Sequence, residues 1–278
     1  MRRIMWTRES FAALCDPPVI GMIHLAPLPG APRWGGDPDA VERAALCDAD
    51  ALAEGGVGAL MVENYHDSPF WPERVPPVTV AALALMVAAV RRRHPRLPVG
   101  VNVLRNDAVS ALAVAMVTGA AFIRVNVHLG AVVTDQGLLR GRAHHTLRAR
   151  RDLGATVGVL ADLRVKHGAP LAPRPLAEEA RDLRQRGLAD GVIVTGSVTG
   201  GEADPEELAA ARAALPDCPL LVGSGLRAEN LHRFARWADG WIVGTSLQHP
   251  GSGPFRPVDT ARVAAFVAAA KTEGSASR

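Results

Sequence analysis

The sequence predicts a closed parallel (β/α)8 TIM barrel with a short N-terminal helix. The first reason is alternation: eight short apolar runs rich in Val, Ile and Leu are each followed by a helical pattern or a helix-starting turn. The second is the stretch Gly191 to Gly244, where the runs Val192–Val194, Leu220–Val222 and Trp241–Val243 each open into a small hydroxyl-bearing turn. Buried strands that end in Gly with Ser or Thr present backbone N–H groups to an anion at the C-terminal rim of a barrel. The third is length, since 278 residues lie close to the roughly 250 of such barrels. One domain over residues 1–271 is expected, with 272–278 as a disordered tail.

Residues Met1 to Asp16 read as a preliminary helix, with Thr7 as N-cap and Pro17-Pro18 as its stop, placed to cover the bottom of the barrel. The first strand is Val19 to Ile23, followed by a proline-rich loop from His24 to Gly30 and a helix from Pro38 to Glu54. The second strand, Ala59 to Val62, ends in Glu63-Asn64. Its long loop carries Tyr65, His66, Phe70 and Trp71, an aromatic concentration that suggests a loop folded over something. A helix from Val78 to Arg93 leads to the third strand, Val99 to Val103, and then to Arg105 and a helix from Ala108 to Thr118. The fourth strand, Phe122 to Val127, is interrupted by Arg124 and Asn126 and followed by His128. A loop and a helix from Arg142 to Leu153 precede the fifth strand, Thr156 to Ala161. That strand opens into Asp162-Leu163-Arg164-Val165-Lys166-His167, and a helix from Leu176 to Arg186 follows. The last three strands alternate with helices at Pro205 to Leu215 and Ala228 to Trp237, and Val258 to Lys271 closes the chain.

A formal charge of +3 with dispersed arginines does not call for nucleic acid. The cluster Arg140, Arg142, Arg148, Arg150 and Arg151 lacks interleaved aromatics and reads as a solvated helix face. Three distant cysteines, Cys15, Cys47 and Cys218, signal neither a disulfide framework nor a zinc knuckle and suit a reducing cytoplasm. The most apolar run, Val78 to Val90, is shorter than the roughly 20 residues of a membrane span, so membrane insertion is not expected. No GxGxxG follows the first strand, which removes the main support for a dinucleotide site.

Polar residues collect where a barrel keeps its chemistry. His24, Glu63, Asn64, Asn102, Arg105, Asn126, His128, Asp162 and Lys166 all lie inside or just past strands one to five. Glu63 or Asp162 is the candidate general base and His24 the partner acid, with Lys166 supplying positive charge. Asn64, Asn102, Arg105, Asn126, His128, His167 and Thr195 are candidate substrate contacts. Gly196, Ser197, Gly223, Ser224, Gly225, Gly244, Thr245 and Ser246 are the candidate phosphate turns. Each has a plainer reading: Glu63 and Asp162 would also serve as structural partners of Arg124 and Lys166, and His66 as a surface residue. On an extended chain Asp162, Arg164 and Lys166 would share one side. No cofactor is expected. A divalent metal would have to draw on His24, Glu63, His128, Asp162 and His167, which form no HxH or HExxH spacing.

The segments from Val19 to Gly30, Glu63-Asn64, Gly100 to Asn106, Phe122 to Asn126, Asp162 to His167 and Val194 to Gly200 resemble the BtpA/SgcQ family over nearly the whole chain. The resemblance implies a barrel of the ribulose-phosphate-binding type and a family named for a role in photosystem I biogenesis. Some relatives carry a nucleoside triphosphatase label, but no GxxxxGK[ST] is present here. The function expected is acid-base chemistry on a phosphorylated sugar or nucleoside-like substrate, of isomerase, lyase or glycosyl-transfer type. A non-catalytic assembly factor and a metal-dependent nucleotide hydrolase are the alternatives. The expected partner is the phosphorylated small molecule, and a homo-oligomer is compatible with the sequence.

Overall fold

The computed structural model describes residues 5–196, 201–251, 253 and 255–276. Its eight barrel strands are β1 Val19–His24, β2 Ala59–Glu63, β3 Val99–Asn102, β4 Phe122–Val125, β5 Gly158–Asp162, β6 Gly191–Val194, β7 Leu220–Val222 and β8 Gly240–Val243. All neighbours are parallel, and β1 pairs with β2 on one side and β8 on the other, closing the ring β1-β8-β7-β6-β5-β4-β3-β2. The helices are α1 Arg8–Leu14, α2 Pro38–Glu54, α3 Pro77–Arg93, α4 Ala108–Thr118, α5 Ala143–Asp152, α6 Leu176–Gln185, α7 Pro205–Ala214 and α8 Thr260–Ala276.

The two-residue period of the strands sorts the side chains into two layers. Val19, Ile23, Leu60, Val62, Val99, Val101, Ile123 and Val159 point to the helices and form the outer core with Leu52, Leu83, Val87 and Leu112. Ile20, Met22, Ala59, Met61, Phe122, Leu160, Ile193, Leu221 and Ile242 fill the barrel interior. Gly100 makes room for the largest of these, because a Cβ there would lie 2.1 Å from the Phe122 ring.

The short N-terminal helix seals the lower end. Thr7 caps it as the sequence predicts, its hydroxyl accepting from the Ser10 N–H at 3.2 Å. Phe11 enters the interior cluster, and Trp6 meets Phe122 edge-on at 6.4 Å between centroids. Gly158 is required beneath it, since a Cβ there would fall 2.3 Å from the indole.

Several boundaries differ from expectation for local reasons. β4 stops at Val125, because the Val127 N–H donates to Asn106 Oδ1 rather than continuing the ladder. The expected helix Ala228 to Trp237 is a 3-10 helix over Ala228–Arg233. There Asn230 accepts from the Arg227 N–H and donates to the Gly225 carbonyl, competing with helical bonds. The tail expected from Thr272 continues α8 as far as Ala276, with no proline to stop it. The loop after β4 is more ordered than its sequence suggests. Ala131–Thr134 and Gly137–Arg140 form a hairpin, and Gly168–Pro170 from the loop after β5 adds a third antiparallel strand. Among the described residues no helix is long and apolar enough to cross a membrane.

Phe11→Ala should destabilise the protein by about 3 to 5 kcal/mol, the usual cost of emptying a buried aromatic site. Denaturant unfolding monitored by far-UV circular dichroism measures it, and a loss under 1 kcal/mol would mean that the lower plug is not part of the barrel core.

Candidate functional site

Following the interior period up each strand, the apolar layers give way to a polar one. Ile20 and Met22 lead to His24, Met61 to Glu63, Gly100 to Asn102, Phe122 to Arg124 and Leu160 to Asp162. The register sets these side by side: His24 pairs with Glu63, Glu63 with Asn102, and Asn102 with Arg124. Asn102 Nδ2 donates to Glu63 Oε1 at 2.6 Å, and His24 Nε2 lies 3.7 Å from Glu63 Oε2.

Arg124 and Asp162 are buried and form a bidentate pair, Nε and Nη2 donating to Oδ1 and Oδ2 at 2.9 and 3.0 Å. Asn126 Nδ2 donates to Asp162 Oδ2 at 2.9 Å. With both oxygens engaged, Asp162 is a poor general base, and the plainer of its two sequence readings is the one the contacts support. Asn126 is held in one orientation, because Asp162 can only accept. Its Oδ1 is buried, has no partner among the described residues and belongs to a residue lining the cavity.

Above this layer opens a cavity of about 650 Å³. Glu63, His24, Arg105, Asn126, Lys166 and His167 line it from the ends of β1 to β5, and Gly223, Ser224, Gly225, Gly244, Thr245 and Ser246 from the turns after β7 and β8. Gly225 has φ +62°, and a Cβ on it would strike the Gly201 carbonyl at 2.5 Å. Gly244 sits against His24, with 2.7 Å between its would-be Cβ and Cε1. After β8 the chain enters a 3-10 turn over Thr245–Leu247, whose opening N–H groups have no partner inside the turn.

Burial pushes His24 down to about 3, aided by the charges of Lys166 and Arg124, so its imidazole is neutral near pH 7. That weakens the sequence reading of His24 as an acid and leaves it as a neutral donor beside Glu63. Lys166 is lowered to about 8, first by burial and then by Arg124. It forms no ion pair with Asp162 or Glu63, and its ammonium has no hydrogen-bond partner among the described residues.

Other expected contacts go elsewhere. His128 turns away to the Gly187 carbonyl at 2.8 Å, outside the cavity. Thr195 donates to the Arg164 carbonyl, and Asn64 is consumed by Asp67 and the Leu104 backbone. Asn102 supports Glu63 from behind, and Gly196 packs against the Gly201 carbonyl rather than lining the cavity. Ser197 lies outside the described residues. Arg164 does not share a side with Asp162 and Lys166, because the chain bends after Asp162 and sends it to Glu179 and Glu207. Among the described residues no three His, Cys, Asp or Glu side chains converge as metal ligands.

Several lining residues were not singled out from the sequence. Arg33 enters from the loop after β1, bonded to Ser68 Oγ at 2.7 Å, and Arg227 from the turn after β7, paired with Glu202. Asp135 and Gln136 come from the hairpin tip. His66, read as a surface residue, is buried. It meets Tyr65 and Phe255 edge-on, and Tyr65 in turn stacks on His24 at 4.3 Å. The aromatic concentration after β2 was the available signal for Tyr65, His66 and Phe70; Trp71, from the same run, is exposed.

A family model described as the BtpA family matches residues 15–272. The photosystem I biogenesis protein BtpA of Synechocystis is 46% identical over 252 residues, covering 91% of this chain and 87% of that protein. Among solved structures, N-(5'-phosphoribosyl)anthranilate isomerase from Pyrococcus furiosus superposes with a TM-score of 0.54 at 16% identity, covering 91% of this chain and 98% of that one. The 3-keto-L-gulonate-6-phosphate decarboxylase from Vibrio cholerae gives a TM-score of 0.56 at 13% identity, covering 91% and 96%. At such identities the likeness is one of fold.

The roles of the two carboxylates separate on substitution. Asp162→Ala leaves a buried guanidinium unpaired and should cost about 3 to 5 kcal/mol. Glu63→Gln keeps the acceptor for Asn102 and should leave the melting temperature nearly unchanged. Parallel thermal melts test this, and equal losses would contradict the assignment.

Proposed function

Because the chain belongs to the BtpA family and folds as a TIM barrel, we propose that it is an enzyme acting by acid-base chemistry on a phosphorylated sugar or nucleoside-like molecule. The observation that carries the reading is the lining of one cavity by the Glu63 carboxylate, the Lys166 ammonium and the two Gly-Ser/Thr turns after β7 and β8. The phosphate rests on Gly223 to Gly225 and Gly244 to Ser246, with Arg33 and Arg227 adding positive charge. Anchoring that group holds the reacting carbon over the polar layer.

Glu63 then removes a proton from a carbon next to a carbonyl or imine. The electron pair moves onto the neighbouring heteroatom, where the Lys166 ammonium stabilises the developing negative charge. Where the deprotonated carbon bears a hydroxyl, returning the proton to the former carbonyl carbon while the hydroxyl proton passes to the first oxygen completes an isomerisation. Where the carbon beyond the deprotonated one bears a leaving group, return of the electron pair to re-form the carbonyl expels that group and completes a lyase reaction. His24 stays neutral and donates from its ring N–H, while Asn126 Oδ1 accepts from a substrate hydroxyl or amine. The isomerase and decarboxylase that share the fold act on phosphorylated compounds by name, in keeping with this class. The name of the Synechocystis relative supports a second reading, an assembly factor that uses the barrel without turnover.

Two measurements test the proposal. Saturation with a phosphorylated ligand at about a hundred times its dissociation constant should raise the melting temperature by about 5 to 10 °C. The unphosphorylated analogue should not, and Thr245→Asp, which puts a carboxylate in the anion site on an exposed position, should abolish the shift. A screen in which phosphorylation never matters would refute the phosphate site. Once a substrate is found, kcat/KM should decline above about pH 8 as Lys166 loses its proton. Between pH 5 and 8 His24 contributes no break, since it is already neutral. In Lys166→Arg the alkaline limb should disappear; its persistence would assign the titration to another group.

A further inference from the structure

Arg105 is 8% exposed and lines the cavity, yet forms no ion pair with any described residue. Its one side-chain hydrogen bond to a described residue runs from Nη2 to the Lys166 carbonyl at 2.6 Å. That bond draws the Arg105 and Lys166 segments together, so two cations share one wall of the cavity. Glu63, Asp135 and Asp162 exert some attraction on Arg105 from a distance, but none of them pairs with it. A guanidinium taken out of water without a carboxylate is costly, and such groups are normally neutralised by a partner. Here the protein supplies the charge, the burial and the open donors, and leaves the anion to come from the cavity.

The position matters as much as the charge. In the ring of eight strands β7 stands opposite β3, and β8 opposite β4. Strands about 4.8 Å apart and tilted by about 36° close on a diameter of about 15 Å. Arg105, three residues beyond the end of β3, therefore reaches inward from the side facing the Gly-Ser/Thr turns, with Glu63 between them on the flank.

We infer that the substrate is doubly anionic, its phosphate on the turns after β7 and β8 and a second oxyanion, carboxylate or phosphoryl, on Arg105 and Lys166 across the barrel. This rests on the phosphate reading proposed above and adds the other end of the molecule. A guanidinium fork matches either oxyanion bidentately. A singly phosphorylated neutral sugar leaves that fork empty, and the site discriminates against it for that reason.

Titration calorimetry on the wild-type protein and on Arg105→Gln tests the inference with glucose 6-phosphate, 6-phosphogluconate, glucose 1,6-bisphosphate and gluconate. At least one of the two compounds with a second anionic group, 6-phosphogluconate or glucose 1,6-bisphosphate, should bind about tenfold or more tightly than glucose 6-phosphate. Which of the two has the advantage distinguishes a carboxylate from a phosphoryl group. In Arg105→Gln that advantage should vanish while glucose 6-phosphate binds as before. The inference is overturned if neither compound with two anionic groups is favoured, or if the preference survives in Arg105→Gln. Gluconate binding as tightly as 6-phosphogluconate, with both lost in Arg105→Gln, would sink the phosphate reading and leave the Arg105 site standing. No binding by any compound sinks both. The ligand-free Arg105→Gln protein should melt no lower than wild type, and a large fall would make the guanidinium structural and overturn the inference.

Discussion

Arg124 lies inside the barrel, one strand step above Phe122, and the rest of the site is arranged around that charge. A guanidinium in such a place must be neutralised, and Asp162 on the neighbouring strand does so with both oxygens. Asp162 also takes a hydrogen bond from Asn126, which fixes the amide and leaves its oxygen buried without a partner among the described residues. Having satisfied one cation, the layer has no carboxylate in contact with Lys166 or Arg105. Glu63 is steadied by Asn102 and His24. One buried pair thus decides which groups are structural and which are left for chemistry.

The barrel itself was legible because its signals are periodic. Alternating apolar runs and helical patterns gave all eight strands, and His24, Glu63 and Asn102, read at neighbouring strand ends, stand side by side in register. What the period could not reveal is direction beyond the strand end. Arg164 and Lys166 are two residues apart, yet the chain bends after Asp162 and they part, one to surface carboxylates and one to the cavity. His128, one residue beyond Val127, was lost for the same reason, since the Val127 N–H donates to the Asn106 side chain and the ladder has already ended. Sequence position also cannot tell which carboxylate answers a buried arginine, and that separates Asp162 from Glu63.

Loops contributed what the strands did not. Arg33, Arg227 and the pair Asp135-Gln136 reach the cavity from three different connections, with no short-range pattern linking them. The hairpin was hidden by brevity: two strands of four residues around Asp135-Gln136 are too short for alternation to stand out, although Gly137 at φ +92° marks the turn in retrospect. The aromatic run after β2 was the exception, because Tyr65 and His66 are conspicuous in a chain that has few aromatics.

The small antiparallel sheet ties two of these loops into one backbone frame. Val132, Val133 and Thr134 pair with Pro170, Ala169 and Gly168, and Lys166 lies two residues before that pairing. The loop that carries the lysine is therefore moored to the hairpin through its backbone, and a change of length in either loop is transmitted to the ammonium as well as to Asp135 and Gln136.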